Sequence, residues 1–418
     1  MGAVFAAAPL VSQVFIPPAF IRFMGVFMHN LFKYAALAVF AGASAVAHAD
    51  TAESRGGITV KSDDGRFEAK IGGRIHFDTY IPVDDDDVGD LTGQTNFRRT
   101  RLILDGKAYG WAYKFECDFT GTGTGCFREM WLGSTLGPVN FRIGQAKPYR
   151  GMEELTSSNE ILFMERPFAT ASGIYSGNQY AQGVFLDSHG ANWTWAVSGY
   201  SLRNEEAPPT EGVGAAARVT FAPVLNDETV LHLGLSASTD RPQGEQRDGS
   251  GNPTGISVRD ASGRAFGRIS GGTRIARTSD ERTGLGGELA FRTGPFYAQG
   301  EYAKVDYKSD TAGDESVDAY YLQASWLLTG ETKPYDVKKG VFKSPKPKAA
   351  SGAWELKARY DVMEGETAPN DKISNWIVGM NWFVNPNVRF MLEYLSGKIE
   401  QTTDTETQIL QLRSQFNF

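Results

Sequence analysis

From Phe67 to Ile81 apolar and polar positions alternate. Phe67, Ala69, Ile71, Ile75, Phe77 and Ile81 share one phase, and Glu68, Lys70, Arg74, His76 and Asp78 share the other. Successive side chains of a strand point to opposite faces, so this strand has one apolar and one charged face. The rhythm returns at 95–108 and again from Trp111, where Trp111, Tyr113, Phe115, Cys117 and Phe119 oppose Lys114, Glu116 and Asp118. It continues near 127–134, 139–146, 180–188, 192–200, 213–221, 229–238, 284–293, 296–307, 316–329, 353–363, 373–384, 388–398 and 406–418, which makes sixteen expected strands. A soluble sandwich turns its apolar face inward, whereas a membrane barrel turns it toward lipid and keeps a polar lumen.

The links favour the barrel. Short ones such as His189–Ala191, Thr293–Pro295 and Asn385–Asn387 alternate with longer polar ones at 82–94, 147–179, 201–212, 239–283 and 399–405. Turns at one end and loops at the other are the asymmetry of outer-membrane barrels, and an even strand count brings both termini to the turn end. Glu331–Ser351 is a long link on the turn side, with Lys333, Lys338, Lys339, Lys343, Lys346 and Lys348. Such a charge run reads as a solvated periplasmic excursion rather than a funnel for anions. Most of the eight tryptophans lie near strand ends, where aromatic girdles meet the two lipid boundaries.

One stretch, Gly144–Phe168, interrupts the rhythm. It is too long for an ordinary link and carries Leu155, Ile161, Leu162, Phe163, Met164 and Phe168, which need cover. The expected fold is therefore all-β: a 16-stranded antiparallel transmembrane β-barrel with an inward-folded constriction loop at about 147–179, where Lys147 and Arg150 narrow the pore.

Composition places this barrel in an exported protein. Residues 1–49 hold only Arg22 and Lys33 as charged groups, and the run from Met28 through Tyr34–Val46 to Ala47-His48-Ala49 reads as a secretory signal cleaved before Asp50. Residues 1–27 read as an extended or misplaced start. Residues 50–65 are then a periplasmic lead-in and 66–418 the barrel. No later apolar run approaches the roughly 20 residues that a membrane helix needs. Losing Arg22 and Lys33 takes the formal charge from −7 to −9, the opposite of a nucleic-acid footprint. Cys117 and Cys126 flank a short loop in an exported chain. Their spacing leaves a bridged hairpin and a pair of free thiols equally open. There is no G-x-S-x-G or H-E-x-x-H, and His76, His189 and His232 stand apart, so no catalytic residue, metal or cofactor is expected. An enzymatic barrel and a purely structural one remain as alternatives of another class.

Several stretches carry a resemblance: IGGRIHFD (71–78), NFRRTRLILDGKAYG (96–110), KFECDF (114–119), FRIGQAKPYRGMEELTSSNEILFMER (141–166), LHLGL (231–235), YYLQASWLLTGE (320–331), GAWELKARYD (352–361) and GMNWFVNPNVRF (379–390). They span the mature chain and resemble the phosphate- and polyphosphate-selective porins of the porin O and P family, trimeric sixteen-stranded channels of Gram-negative outer membranes. The resemblance implies passage of small anions, phosphate or polyphosphate foremost. It also implies a homotrimer, contact with outer-membrane lipid and lipopolysaccharide, and delivery by the barrel-assembly machinery, which would read the terminal Phe418. It implies anion contacts at Arg74, Arg98 and Arg99 near Asp118, and a loop lysine directly after Thr-Ser-Ser. Here Thr156-Ser157-Ser158 is followed by Asn159, so that lysine is absent and a general porin of weak selectivity stays open. Strand phase adds Arg101, which faces the lumen with Arg99, Asp105 and Lys107; Arg98 faces away unless a bulge turns it inward. The expected waist is Arg74, Arg98, Arg99, Arg101, Asp118, Lys147 and Arg150.

Overall fold

The computed structural model describes residues 53–54, 57–84, 93–120, 126–170, 174–175, 179–202, 212–242, 281–308, 313–365, 372–400 and 404–418. The expected signal segment lies outside them. Among the described residues, sixteen long antiparallel strands form the wall. In chain order they are β1 (Phe67–Asp84), β2 (Gln94–Ala108), β3 (Trp111–Asp118), β4 (Phe127–Leu136), β5 (Val139–Ala146), β6 (Ala181–His189), β7 (Trp193–Ser201) and β8 (Gly212–Leu225). The second half holds β9 (Thr229–Pro242), β10 (Glu281–Thr293), β11 (Phe296–Lys308), β12 (Glu315–Leu327), β13 (Ala353–Gly365), β14 (Lys372–Phe383), β15 (Val388–Glu400) and β16 (Thr405–Asn417). Each pairs with its sequence neighbours, and β16 pairs with β1, with Phe416 opposite Ile75 and Gln411 opposite Tyr80. Closure leaves no strand edge in hydrocarbon, where an unpaired amide is costly. At the seam the Gly73 amide donates to the Phe418 carbonyl at 2.9 Å. A side chain at Gly73 would run into the Phe418 ring, 2.5 Å away.

The wall is inside out relative to a soluble protein. Leu235 and Leu322 are 65% and 64% exposed, while Arg359 and Arg413 are both 1% exposed. On the turn side Trp354 stacks on Trp382 at 5.0 Å, and Phe296 on Trp326 at 5.6 Å. Toward the loop side Tyr360 meets Trp376 at 4.4 Å. Trp131 departs from the girdle pattern: it faces inward, beneath the Arg142 guanidinium at 5.3 Å. The two cysteines form a disulfide.

The lumen differs from a uniformly polar bore. The connection between β5 and β6 folds into it, as its apolar content requires, and forms the one-turn helix α1 (Met152–Leu155). Leu162, Phe163, Met164, Phe168 and Ile174 pack against inward residues of β11–β16, among them Val305, Val317, Met363, Ile373, Leu395 and Ile409. That half of the lumen holds a hydrophobic core, with buried ion pairs beside it. The turn-side link between β12 and β13 overturns the expectation of a solvated excursion, because it too folds inward. Arg218 donates to the carbonyls of Lys339 and Gly340 at 2.7 and 2.9 Å, and Arg292 to that of Lys333 at 3.0 Å. Lys333 pairs with Glu355 at 2.8 Å, and Phe342 lies 4.9 Å from Tyr297. Buried backbone acceptors need donors, and inward arginines of the wall supply them; spacing along the chain gave no sign of this.

Introducing a charge on the lipid face tests the inside-out wall. Leu235→Arg is expected to lower folding stability in bilayers by about 2–4 kcal/mol, read from urea-dependent folding into vesicles, while Leu235→Phe changes it little.

Candidate functional site

One carboxylate of the loop gathers three guanidiniums of the wall. Arg98 donates to both oxygens of Glu165, at 2.6 and 3.0 Å, Arg99 donates at 3.3 Å and Arg413 at 2.9 Å. Arg413 also grips Asp78 with a two-pronged contact at 2.6 and 2.7 Å, the geometry that suits a planar guanidinium. Burial alone raises the Glu165 carboxyl, but Arg98, Arg99 and Arg413 outweigh it and hold it well below the usual carboxylate range. Arg98 reaches this position through a bulge: His76 pairs with Arg99 and Phe77 with Phe97, so the register shifts by one residue at Arg98. The adjacent arginines therefore both point inward.

With the loop packed against the far wall, open space remains beside β1–β6. It is a cavity of about 270 Å³. The barrel wall contributes Arg74, Arg101, Lys114, Glu116 and Glu129; the loop contributes Lys147, Ser157, Ser158, Glu160 and Arg166; the turn-side link contributes Lys339 and Lys343. The Arg74 guanidinium donates to the Ser158 hydroxyl at 2.7 Å and lies 3.7 Å from Glu116. Arg101 donates to Asp118 at 2.7 Å and to Glu116 at 2.8 Å. Asp118 also accepts from Thr120, beside the disulfide that closes this hairpin. Lys147 lies 3.8 Å from Glu154, and burial together with Arg166 pulls its ammonium down to about 7.

The expected residues thus divide. Arg74, Arg101 and Lys147 meet in the cavity, with Asp118 behind Arg101. Arg98 and Arg99 are spent on Glu165. Arg150 is not at the waist: it is 2% exposed, bonded to Tyr200 at 2.7 Å and Asp240 at 3.2 Å, and it anchors the loop to the wall. Asn159 turns its side chain to His76 at 3.2 Å. Its carbonyl accepts from Ser344 at 3.3 Å, so the two inward segments meet beside the cavity.

Comparison with known proteins settles the family. The description phosphate-selective porin O and P matches residues 69–418. The chain belongs to that family. It is 30% identical over 423 residues to Porin O of Pseudomonas aeruginosa, covering 90% of this chain and 95% of that protein. An uncharacterized protein of Caulobacter vibrioides is 25% identical, covering 81% of this chain and 70% of its own. The solved anion-selective porin from Comamonas acidovorans has a similar fold, with a TM-score of 0.55, 13% identity and coverage of 84% and 100%. The trimer form of OmpT from Vibrio cholerae has a TM-score of 0.52 at 10% identity, covering 84% and 99%. This member of the family is a Gram-negative outer-membrane porin, and its fold and kin point to a channel rather than an enzyme.

Sequence reasoning left Lys114, Arg166, Lys339 and Lys343 out of the site. Lys114 was legible, since it shares the lumen phase with Glu116 and Asp118. Lys339 and Lys343 were hidden, because the inward fold of their segment rests on distant donors.

Replacing Glu165 with Gln removes the charge that three guanidiniums share. Breaking a buried ion pair costs about 3–5 kcal/mol, so Glu165→Gln is expected to free the loop and give a larger, noisier single-channel conductance. An unchanged conductance would refute the clamp.

Proposed function

We propose that this porin is a passive channel for small anions, with phosphate or polyphosphate the leading solutes, and that it works as a homotrimer. The observation that carries the reading is the charge balance of the cavity, where Arg74, Arg101, Lys114, Lys147, Arg166, Lys339 and Lys343 face Glu116, Glu129 and Glu160. Fixed positive charge in a low-dielectric wall concentrates anions and repels cations. Guanidinium groups bind phosphate oxygens in pairs, and the hydroxyls of Ser157 and Ser158 stand beside Arg74 to donate as well. Arg101 already shares two carboxylates. An arriving anion therefore exchanges partners rather than filling an empty clamp, which keeps binding weak enough for release. The names of Porin O and of the anion-selective Comamonas porin point the same way. A general porin of weak selectivity is the second reading, favoured by Asn159 facing His76 and by the three carboxylates among the cations.

Strand length supports the trimer. β3 and β5 have 8 residues and β6 and β7 have 9, at or below the 9–11 that a tilted strand needs to cross hydrocarbon. β10 to β12 have 13 each. A neighbouring copy against the low arc covers what its strands leave short. Light scattering of the detergent-solubilised porin is expected to give three chains per particle; a monomer would reject the assembly.

Reversal potentials across planar bilayers under a KCl gradient test the anion reading. Anion preference is expected, and cation preference would reject it; conductance falling as phosphate is titrated into chloride separates phosphate binding from weak selectivity. Lys147 adds a pH signature. Its neighbours are Glu154, Arg166, Glu129 and Arg101, and with its ammonium losing a proton near 7 the anion preference is expected to be higher at pH 6 than at pH 8. Lys147→Met should flatten that slope, and a slope that persists in this variant would assign it elsewhere.

A further inference from the structure

The loop rejoins the wall at Tyr180, directly before β6, and three cations from three different elements converge on that side chain. The Arg101 guanidinium of β2 donates to the Tyr180 hydroxyl at 3.3 Å. Arg128 of β4 lies 6.0 Å from the centre of the ring, and the ammonium of Lys147, at the start of the loop, lies 5.8 Å from it. Tyr180 is half-buried and lines the cavity together with Arg101 and Lys147.

The other partners of these cations cancel charge. Glu116 takes Arg74, Arg101 and Lys114 at 3.7, 2.8 and 3.1 Å, and Asp118 takes Arg101 and Arg128 at 2.7 and 3.6 Å. The phenol acts differently. An aromatic face attracts a cation within about 6 Å through its quadrupole, and the oxygen accepts from a guanidinium, so positive groups are gathered without a carboxylate to offset them. A tyrosine hydroxyl also donates. Arg101 occupies its oxygen as acceptor, and among the described residues no side chain or carbonyl accepts the Tyr180 proton.

We propose that Tyr180 is an anion-binding residue of the cavity: its hydroxyl, held by Arg101, donates its proton to a phosphate oxygen, and its ring keeps Lys147 and Arg128 beside the same anion. The proposal rests on the anion reading and adds an uncharged donor to it. Charge draws chloride and phosphate alike, whereas oriented donors favour the solute that offers several oxygens. Tyr180 therefore contributes to discrimination among anions, and the cations to the preference for anions over cations.

Two variants separate the hydroxyl from the ring, read by phosphate titration of the chloride conductance and by reversal potentials in a KCl gradient. Tyr180→Phe keeps the ring. The phosphate concentration that halves the chloride conductance is expected to rise about tenfold, the scale of one hydrogen bond to a charged group, while the reversal potential stays at the value of the unmodified porin. Tyr180→Leu loses the ring as well. It is expected to lower the anion preference and to move the pH slope of Lys147 toward lower pH, because the ammonium loses an aromatic partner and is left with Glu154 and Glu129 against Arg166 and Arg101. Heat-modifiable migration establishes which variants have folded. An unchanged half-blocking concentration in either folded variant overturns the proposal and leaves the anion reading standing. A Tyr180→Phe porin that loses its anion preference in KCl also overturns it, since the hydroxyl would then serve only to hold Arg101. An unmodified porin that prefers cations, or that phosphate fails to block, overturns the phosphate reading and this proposal with it.

Discussion

The ion pairs between Glu165 and the guanidiniums of Arg98, Arg99 and Arg413 tie the constriction loop to β2 and β16, on either side of β1 at the seam. Opposite charges in a buried setting attract strongly, and each carries a desolvation cost that is offset only while its partners remain in place. The loop is thereby committed to one side of the lumen. Its apolar residues complete a core with β11–β16, and a crescent of open space is left beside β1–β6.

A second segment meets the first from the opposite end of the barrel. The link between β12 and β13 is drawn inward by Arg218 and Arg292 and touches the loop where Ser344 bonds to Asn159. Neither segment is a simple obstruction. Each brings cations to the crescent while burying its own backbone polar groups against side chains of the wall. The lumen is accordingly organised as protein interior on one side and as aqueous surface on the other.

Much of this was legible in the sequence, for reasons that can be named. Period-two alternation fixes strand phase, and alternating link lengths fix which ends carry loops, so β1–β16 and the inward fold of the described part of the loop after β5 followed from local pattern. Arg98 shows where phase runs out: one extra residue in a ladder reverses a side chain, and nothing around Asn96-Phe97-Arg98 marks the bulge in advance. Arg150 shows a second limit, because a cation on a constricting loop has the same sequence signature whether it faces water or Asp240. The lysines of the turn-side link show a third. Their inward placement depends on Arg218 and Arg292, more than 40 residues away.

The hydrophobic half of the lumen has an evolutionary corollary. Shortening Val341 or Phe342, which belong to the packed side and face the cavity, would enlarge it without touching any of the cations that line it, and exchanging Lys114 or Lys339 would change the charge of the lining without disturbing the packed side. Calibre and lining charge are encoded in separate groups of residues. A descendant of this porin can drift toward bulkier solutes and toward different ones by independent routes.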